Sequence, residues 1–387
     1  MAWTTPRTWV SGELVTAALM NSALRDNMNM LDGGRLSITS QAAGDVVYAS
    51  SSTALARLAA DSGKFLKSGA SSVSWESAGA NSSPYITAAV GSSALTISVV
   101  SAAAAAPSSA SPVDVVFRNV TAATGSPTTI ALTGATTLVI PSGATMGAAS
   151  GVTFRLWVCA FNDAGTVRLA ALNCAASGGI YSLSAYGIST SATIGTGSDS
   201  AQTFYGSTGV TDKAFVILGY VTYESGLTTA GTYDAAPTVV QTFGPGVAPP
   251  GAALQRIRGT YSTETSSSSS TMAATGLTAS ITPLSKANRV RVSVAMGTCQ
   301  KHTGNAQLRT GLFRDAVLQI SPTISAYTTG STTQNCGAGP SVEYLDAPYS
   351  TSAVAYNMQF ASGTNIAAVV VQLGGADSTI SLEEVVG

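Results

Sequence analysis

From residue 288 to 296 the chain reads NRVRVSVAM, with an apolar residue at every second place. Val290, Val292, Val294 and Met296 fall on one side of a two-residue repeat, and Arg289, Arg291 and Ser293 fall on the other. Two is the period of a β-strand, whereas a helix would scatter those valines around its circumference. AYNMQFAS (355–362) repeats the pattern, with Tyr356, Met358 and Phe360 together. AAVVVQL (367–373) and STISLEEVV (378–386) follow, joined by GGADS. Earlier, TFRLWVCAF (153–161) and TVRLAALNC (166–174) flank NDAG and read as a hairpin. There Phe154, Leu156, Val158 and Ala160 share one face while Trp157 and Phe161 take the other, so both faces are expected to be covered. KAFVILGYVTY (213–223) reads in the same way. Charged residues are 10% of the chain, against about 25% in a typical soluble domain. Small and β-branched residues fill the remainder, and 39 Gly and 14 Pro punctuate it. The expectation is a mainly β protein: a short N-terminal helix and an extended connector, then two antiparallel β-sandwich or jelly-roll-like domains, assembled as a trimer.

One stretch breaks the pattern. Residues 16–31 predict a helix, with Thr16 as its N-cap and Ala17, Met20, Leu24, Met28 and Leu31 at spacings of three and four on one face. Arg25, Asp26 and Asn29 point elsewhere, and Asp32-Gly33-Gly34 ends the helix. About four turns is marginal alone in water, so this helix is expected to pack on copies of itself or on another protein; the alternative is packing on its own β domain. The organisation read from composition is then an N-terminal segment (1–36), a Ser/Gly/Ala-rich connector too thin to bury a core (37–83), a central β domain (84–251) and a C-terminal β domain (252–387). GPGVAPPG (244–251) marks the last boundary. The final strand, one residue short of Gly387, is expected to be integral to its sheet.

Charge and chemistry narrow the function. Net charge is −1 and there is no basic stripe, so nucleic acid is not an expected partner. The longest weakly polar run, ALTISVVSAAAAAP (94–107), is shorter than the ~20 residues of a membrane-spanning helix. The opening residues lack the apolar core of a signal peptide. No membrane insertion is expected, and the protein is expected to be made and released in the cytoplasm. His302 is the only histidine, and no nucleophile elbow, phosphate loop or HExxH stands out. No cofactor, no metal and no catalytic residue are expected. Cys159, Cys174, Cys299 and Cys336 form no CxxC pair and read as small buried hydrophobes. A polysaccharide-cleaving enzyme needs two carboxylates across a groove. Glu343 and Asp346 fall in what reads as a solvated loop rim, and Glu383 and Glu384 face opposite sides of a strand. The long segment 321–350 reads as a loop and offers Tyr327, Asn335, Tyr344, Asp346 and Tyr349. These suit contact with a sugar or a protein, and they equally suit ordinary turns.

Several of these stretches together resemble one group of proteins. TWVSGELVTAALMNSALRDNMNML is similar to the N-terminal segment of many tailed-bacteriophage tail fibre and tail structural proteins, with Trp9, Gly12, Glu13, Val15, Thr16, Ala17, Asn21, Arg25, Asp26 and Asn27 matching. GDVVYASSSTALARLA resembles the connector that often follows it. FRLWVCAFNDAGTVRLAALN, DSAQTFYGSTGVTDKAFVILGYV and FGPGVAPPG resemble a central tail-protein domain, and TGLTASITPLSKANRVRVSV with STISLEEVVG a C-terminal one. The resemblance implies a virion component, commonly trimeric, assembled in the bacterial host's cytoplasm. It implies attachment and oligomerisation through Trp9, Ala17, Met20, Leu24, Arg25, Asp26, Met28 and Leu31. The implied partners are copies of the chain, other virion proteins and a host surface glycan or protein. Two roles stay open: a receptor-binding fibre, or a structural or decorative protein of tail or head. A polysaccharide-degrading tailspike is the remote third.

Overall fold

The computed structural model describes residues 8–21, 42–51, 55–61, 64–68, 73–77, 83–118, 125–177, 179–302, 306–327, 332–336, 338–364 and 367–387. The chain divides into two compact units, Met1–Asn81 and Ser82–Gly387.

In the first unit the expected helix is present over Ala17–Met20. Thr16 is extended, and its side chain accepts the Leu19 N–H at 3.3 Å, so it acts as the N-cap. The remainder of the predicted helix, with Leu24, Arg25, Asp26, Met28 and Leu31, lies outside the described residues. The connector is extended and pairs with itself. Val46–Ala49 pairs antiparallel with Leu55–Leu58, and Lys64–Ser68 with Val73–Ser77. Asp45 ties the first hairpin at its base: its carboxylate accepts the Ala42 and Ala60 N–H groups at 2.6 and 2.8 Å and meets Arg57 at 3.3 Å. Short hairpins satisfy their backbone groups locally, which Ser- and Gly-rich sequence allows without a core.

The second unit opens on two small sheets. One joins Tyr85–Gly91, Ala94–Val100 and Thr136–Ile140, and the other pairs Val113–Phe117 with Thr128–Leu132. A ring of strands follows. Phe154–Asp163 pairs with Thr166–Leu172, which pairs with Tyr205–Gly206. Tyr205–Gly206 lies parallel to Tyr186–Thr193, which pairs with Val210–Tyr223. Val210–Tyr223 returns to Phe154–Asp163 and closes a five-stranded barrel. Closure explains the doubly apolar strands. Trp157, Cys159, Phe161, Ala170, Leu172, Phe204, Phe215 and Ile217 fill one core, where Phe161, Phe204 and Phe215 pack at centroid distances of 5.3–5.7 Å. Phe154, Leu156, Val158, Ala160, Leu169 and Ala171 face outward into a second core, beneath the two small sheets. Each fully buried large side chain contributes about 1.5–3 kcal/mol.

A bulge keeps the long strand in phase. Val158 stands opposite Gly219 and Cys159 opposite Ile217, which leaves Leu218 as the extra residue. Before it Phe215 and Ile217 belong to the inner core; after it Tyr220 lies on that side and Val221 and Tyr223 on the other. One extra residue exchanges the faces, as a period of two requires. Gly219 suits the crossing, because a Cβ there would stand 2.2 Å from the Gln241 carbonyl oxygen.

The remainder is a jelly roll. In chain order its eight main strands are Ala253–Tyr261, Ala273–Ile281, Arg289–Ala295, Gln307–Arg314, Val317–Tyr327, Ser341–Asp346, Val354–Ser362 and Ser378–Val385. One sheet holds the first, eighth, third and sixth in that spatial order, and the other holds the second, seventh, fourth and fifth. That alternation is the jelly-roll connection. The terminal strand is interior to its sheet, between Ala253–Tyr261 and Arg289–Ala295. Val290, Val292, Val294, Ile380 and Leu382 meet Leu277, Leu312, Tyr356, Met358 and Phe360 across the core. Arg291 and Ser293 are exposed as expected, but Arg289 is only 9% exposed, because other parts of the unit cover that end of its sheet. Segment 321–350, expected as a loop, carries strand Gln334–Cys336, strand Ser341–Asp346 and the end of strand Val317–Tyr327.

Candidate functional site

Three places in the described structure offer chemistry or surface. The first is the N-terminal segment. A turn precedes the helix: the Glu13 N–H meets the Val10 carbonyl at 3.1 Å, and the Glu13 carboxylate accepts the Val10 N–H at 3.2 Å. Gly12 sits in this turn at φ +90°, where a side chain would be strained. The turn and cap leave apolar side chains outward. Val10 is 70% exposed, Leu14 81% and Val15 51%, with Trp9 and Met20 also exposed. Ala17 is exposed as well.

The second is the junction of barrel and jelly roll. Arg155, on a barrel strand, is buried and donates to Thr222 Oγ1 (3.0 Å), Asn288 Oδ1 (3.2 Å), Ser285 Oγ (3.0 Å) and the Gly387 carbonyl (3.4 Å). Its guanidinium carbon lies 4.3 Å from the Tyr220 ring centroid. The Trp157 indole N–H reaches the same Gly387 oxygen at 2.9 Å, and Val386 enters the barrel core. Glu384 is fully buried and accepts from the Leu284 N–H, Asn288 Nδ2 and Gln255 Nε2 at 2.6–2.7 Å. Glu224 accepts from Ser285 Oγ and the Lys286 N–H. Burial draws the Arg155 pKa below its ordinary value, against the opposing pull of Tyr220, Glu224, Cys174 and Glu384. Glu383, on the opposite face from Glu384, pairs with Arg291 at 2.7 Å near the surface.

The third is a cleft of about 430 Å³ beside that junction. Arg289, Glu343, Tyr344 and Tyr349 line it from the jelly roll, and Asn173 and Arg155 from the barrel. Residues 147–149 and 175–177, all small, line that side too, together with Val152, Thr153 and Phe154. Arg289 Nη1 is buried without a hydrogen-bond partner, and the guanidinium carbon stands 5.2 Å from the Tyr349 ring centroid. Tyr349 is held at φ +50°.

The structure therefore brings Tyr344 and Tyr349 to one cleft and separates the other loop candidates. Asp346 ends a strand rather than lying in a loop, is 3% exposed, and is held by Arg314 Nη1 at 2.7 Å and the Tyr356 hydroxyl. Its carboxylate is engaged within the jelly roll. Tyr327 ends the outer strand of the other sheet and is exposed. Asn335, also exposed, accepts a hydrogen bond from Gln300. Arg289 and Asn173 escaped sequence reasoning. The alternation placed Arg289 outward and gave no sign of what lies over it.

The cysteines are unpaired. Cys159, Cys174 and Cys299 are buried and Cys336 half-buried. Burial pushes the Cys299 thiol up to about 11. Cys299 and Cys336 stand opposite each other on neighbouring strands. Among the described residues no cluster of His, Cys, Asp and Glu could hold a metal ion, and no helix is long and apolar enough to cross a membrane.

No family model matches the chain, and no curated protein matches it. Solved structures with some similarity include infectious bursal disease virus, Gx strain, at 11% identity over 79% of this chain and 77% of that chain, with a TM-score of 0.22. The VP2 subviral particle of infectious bursal disease virus matches at 10% identity over 79% and 78%, TM-score 0.21. The insecticidal delta-endotoxin Cry8Ea1 of Bacillus thuringiensis matches at 10% over 78% and 51%, TM-score 0.19. Likeness at these TM-scores carries no argument about function.

Proposed function

We propose that this chain is a non-catalytic structural protein of a bacteriophage virion: a trimeric fibre held to the particle by its N-terminal segment, with the jelly roll turned toward the host surface. The observation that carries the reading is the run of exposed apolar side chains at Trp9, Val10, Leu14, Val15 and Met20. Five such groups around a preformed turn and helix cap are costly to leave in water, and contact with another chain removes the cost. The occupant is a set of copies of this segment seated in a virion socket. The resemblance of four regions of the sequence to tail proteins supports the same reading. So does the outer jelly-roll strand Val317–Tyr327, where Val317, Leu318, Ile324 and Tyr327 are exposed. Open strand edges with apolar side chains invite further pairing.

The test has two arms. The mass of the purified full-length protein in solution is expected to be that of three chains. A truncated chain beginning near Pro84, which keeps the whole barrel and jelly roll, is expected to fold and yet not join particles. Incorporation of that truncated chain at the full copy number would place the anchor elsewhere and end this reading.

A further inference from the structure

The cleft beside the barrel and jelly-roll junction contains a contrast between two arginines. Arg155 donates to four hydrogen-bond acceptors, with Glu224 and Glu384 close by. Arg289, which lines the same cleft, is 9% exposed and has Nη1 out of water with no acceptor. A buried guanidinium nitrogen left unpaired is unfavourable. The chain uses charge sparingly, at 10% of residues, which makes a buried, unpaired guanidinium nitrogen more conspicuous.

Its surroundings are built around it. Tyr349 lies over the guanidinium at 5.2 Å, and its backbone is held at φ +50°, a left-handed conformation that a bulky residue adopts at a cost. Such strain concentrates where a side chain must be aimed. The facing wall of small residues leaves about 430 Å³ open, within the range of roughly 300–1,000 Å³ usual for small-molecule sites. Asn173 uses its Oδ1 on the Ala175 N–H at 3.1 Å, so its amide nitrogen is the part left to donate. Glu343 stands at the rim as an acceptor.

We propose that this cleft binds a sugar ring bearing a carboxylate, such as a uronic or sialic acid residue of a surface polysaccharide, with Arg289 taking the carboxylate. A planar carboxylate fits a guanidinium edge in a paired, charge-assisted contact. Ring hydroxyls match the Asn173 amide and the Glu343 carboxylate. The Tyr349 ring offers an apolar face with a polar tip, which suits a sugar. Glu343 disfavours a multiply charged anion such as phosphate. The inference rests on the recognition role proposed above for the jelly-roll end. Its test uses purified protein, so a negative result leaves the anchoring half of that proposal standing.

Isothermal titration of the full-length protein with glucuronate, galacturonate and N-acetylneuraminate tests it, with glucose, acetate and phosphate as comparisons. At least one carboxylated sugar is expected to bind at one site per chain, with Kd of about 1 mM or tighter, and glucose about tenfold or more weaker. Arg289→Gln is expected to weaken that sugar about tenfold or more, and Arg289→Lys by less, because lysine keeps the charge and loses the fork. Circular dichroism confirms the fold of each variant. Should Arg289→Gln fail to fold, Tyr349→Ala carries the test, with an expected loss of about threefold or more as the aromatic contact goes. Binding of acetate as tight as that of the sugars would reduce the cleft to a plain anion site and overturn the proposal. So would the absence of binding by all three acidic sugars, or an unchanged affinity in the folded Arg289→Gln or Tyr349→Ala protein.

Discussion

Replacing Arg155 by Met should separate barrel from jelly roll more effectively than any change to an exposed residue. Met keeps much of the buried aliphatic volume and removes the charge and every donor. Four hydrogen bonds go with it: to Thr222, Asn288, Ser285 and the Gly387 carbonyl. So does the contact with the Tyr220 ring. Hydrogen bonds to a charged group are worth about 1.5–3 kcal/mol each when taken singly, and they do not add. Glu224 and the fully buried Glu384 also lose a nearby cation, while Glu384 keeps its own three hydrogen bonds. Breaking a buried charge arrangement by removing one partner costs about 3–5 kcal/mol, and that is the expected destabilisation. Urea titration followed by Trp fluorescence measures it, since Trp157 sits within 5.9 Å of the same guanidinium. Wild-type protein is expected to lose barrel and jelly roll together, whereas Arg155→Met should resolve two transitions. Arg155→Lys should fall between, with the charge kept and the fork lost. If Arg155→Met shifts stability by less than about 0.5 kcal/mol, the size of an ordinary surface change, the junction is not held by this network and the reasoning fails.

Two further expectations concern the interior. Tyr356→Phe deletes a buried hydroxyl that donates to Asp346 while Arg314 keeps its own bond, so a loss of about 1–3 kcal/mol is expected in the same titration with the fold intact; no measurable loss would mean that Asp346 is satisfied without it. Iodoacetamide at pH 8 should label Cys336 first in the native protein. Cys299, pushed up to about 11, has roughly one thiol in a thousand ionised there, and Cys159 sits inside the barrel. Peptide mass spectrometry reads the order, and native-state labelling of Cys159 at the rate of Cys336 would contradict a closed barrel.

Local periodicity was enough to assign faces. Val290, Val292, Val294 and Met296 entered one core as their spacing required, and Tyr356, Met358 and Phe360 met them there. The doubly apolar run at 153–161 announced a strand covered on both sides, and Thr16 announced a helix cap. Side-chain direction in a strand and capping at a helix end depend on neighbours a few residues away, so both are legible in one sequence. Which strand lies opposite which is another matter. The barrel closes because Phe154–Asp163 pairs with Val210–Tyr223 across a long stretch of intervening chain, and no spacing encodes that partner. The segment 321–350 looked like a loop because Ser, Thr, Gly and Tyr serve turns and strands alike, and strand preference is decided largely by the neighbouring surface. Arg289 shows the limit most clearly. Alternation placed it on the outer face correctly, but its burial, its unpaired nitrogen and its contact with Tyr349 arise only when the barrel and the residues after Asp346 come to rest around it. Burial is a property of everything that surrounds a side chain, and that shell is assembled from distant parts of the chain.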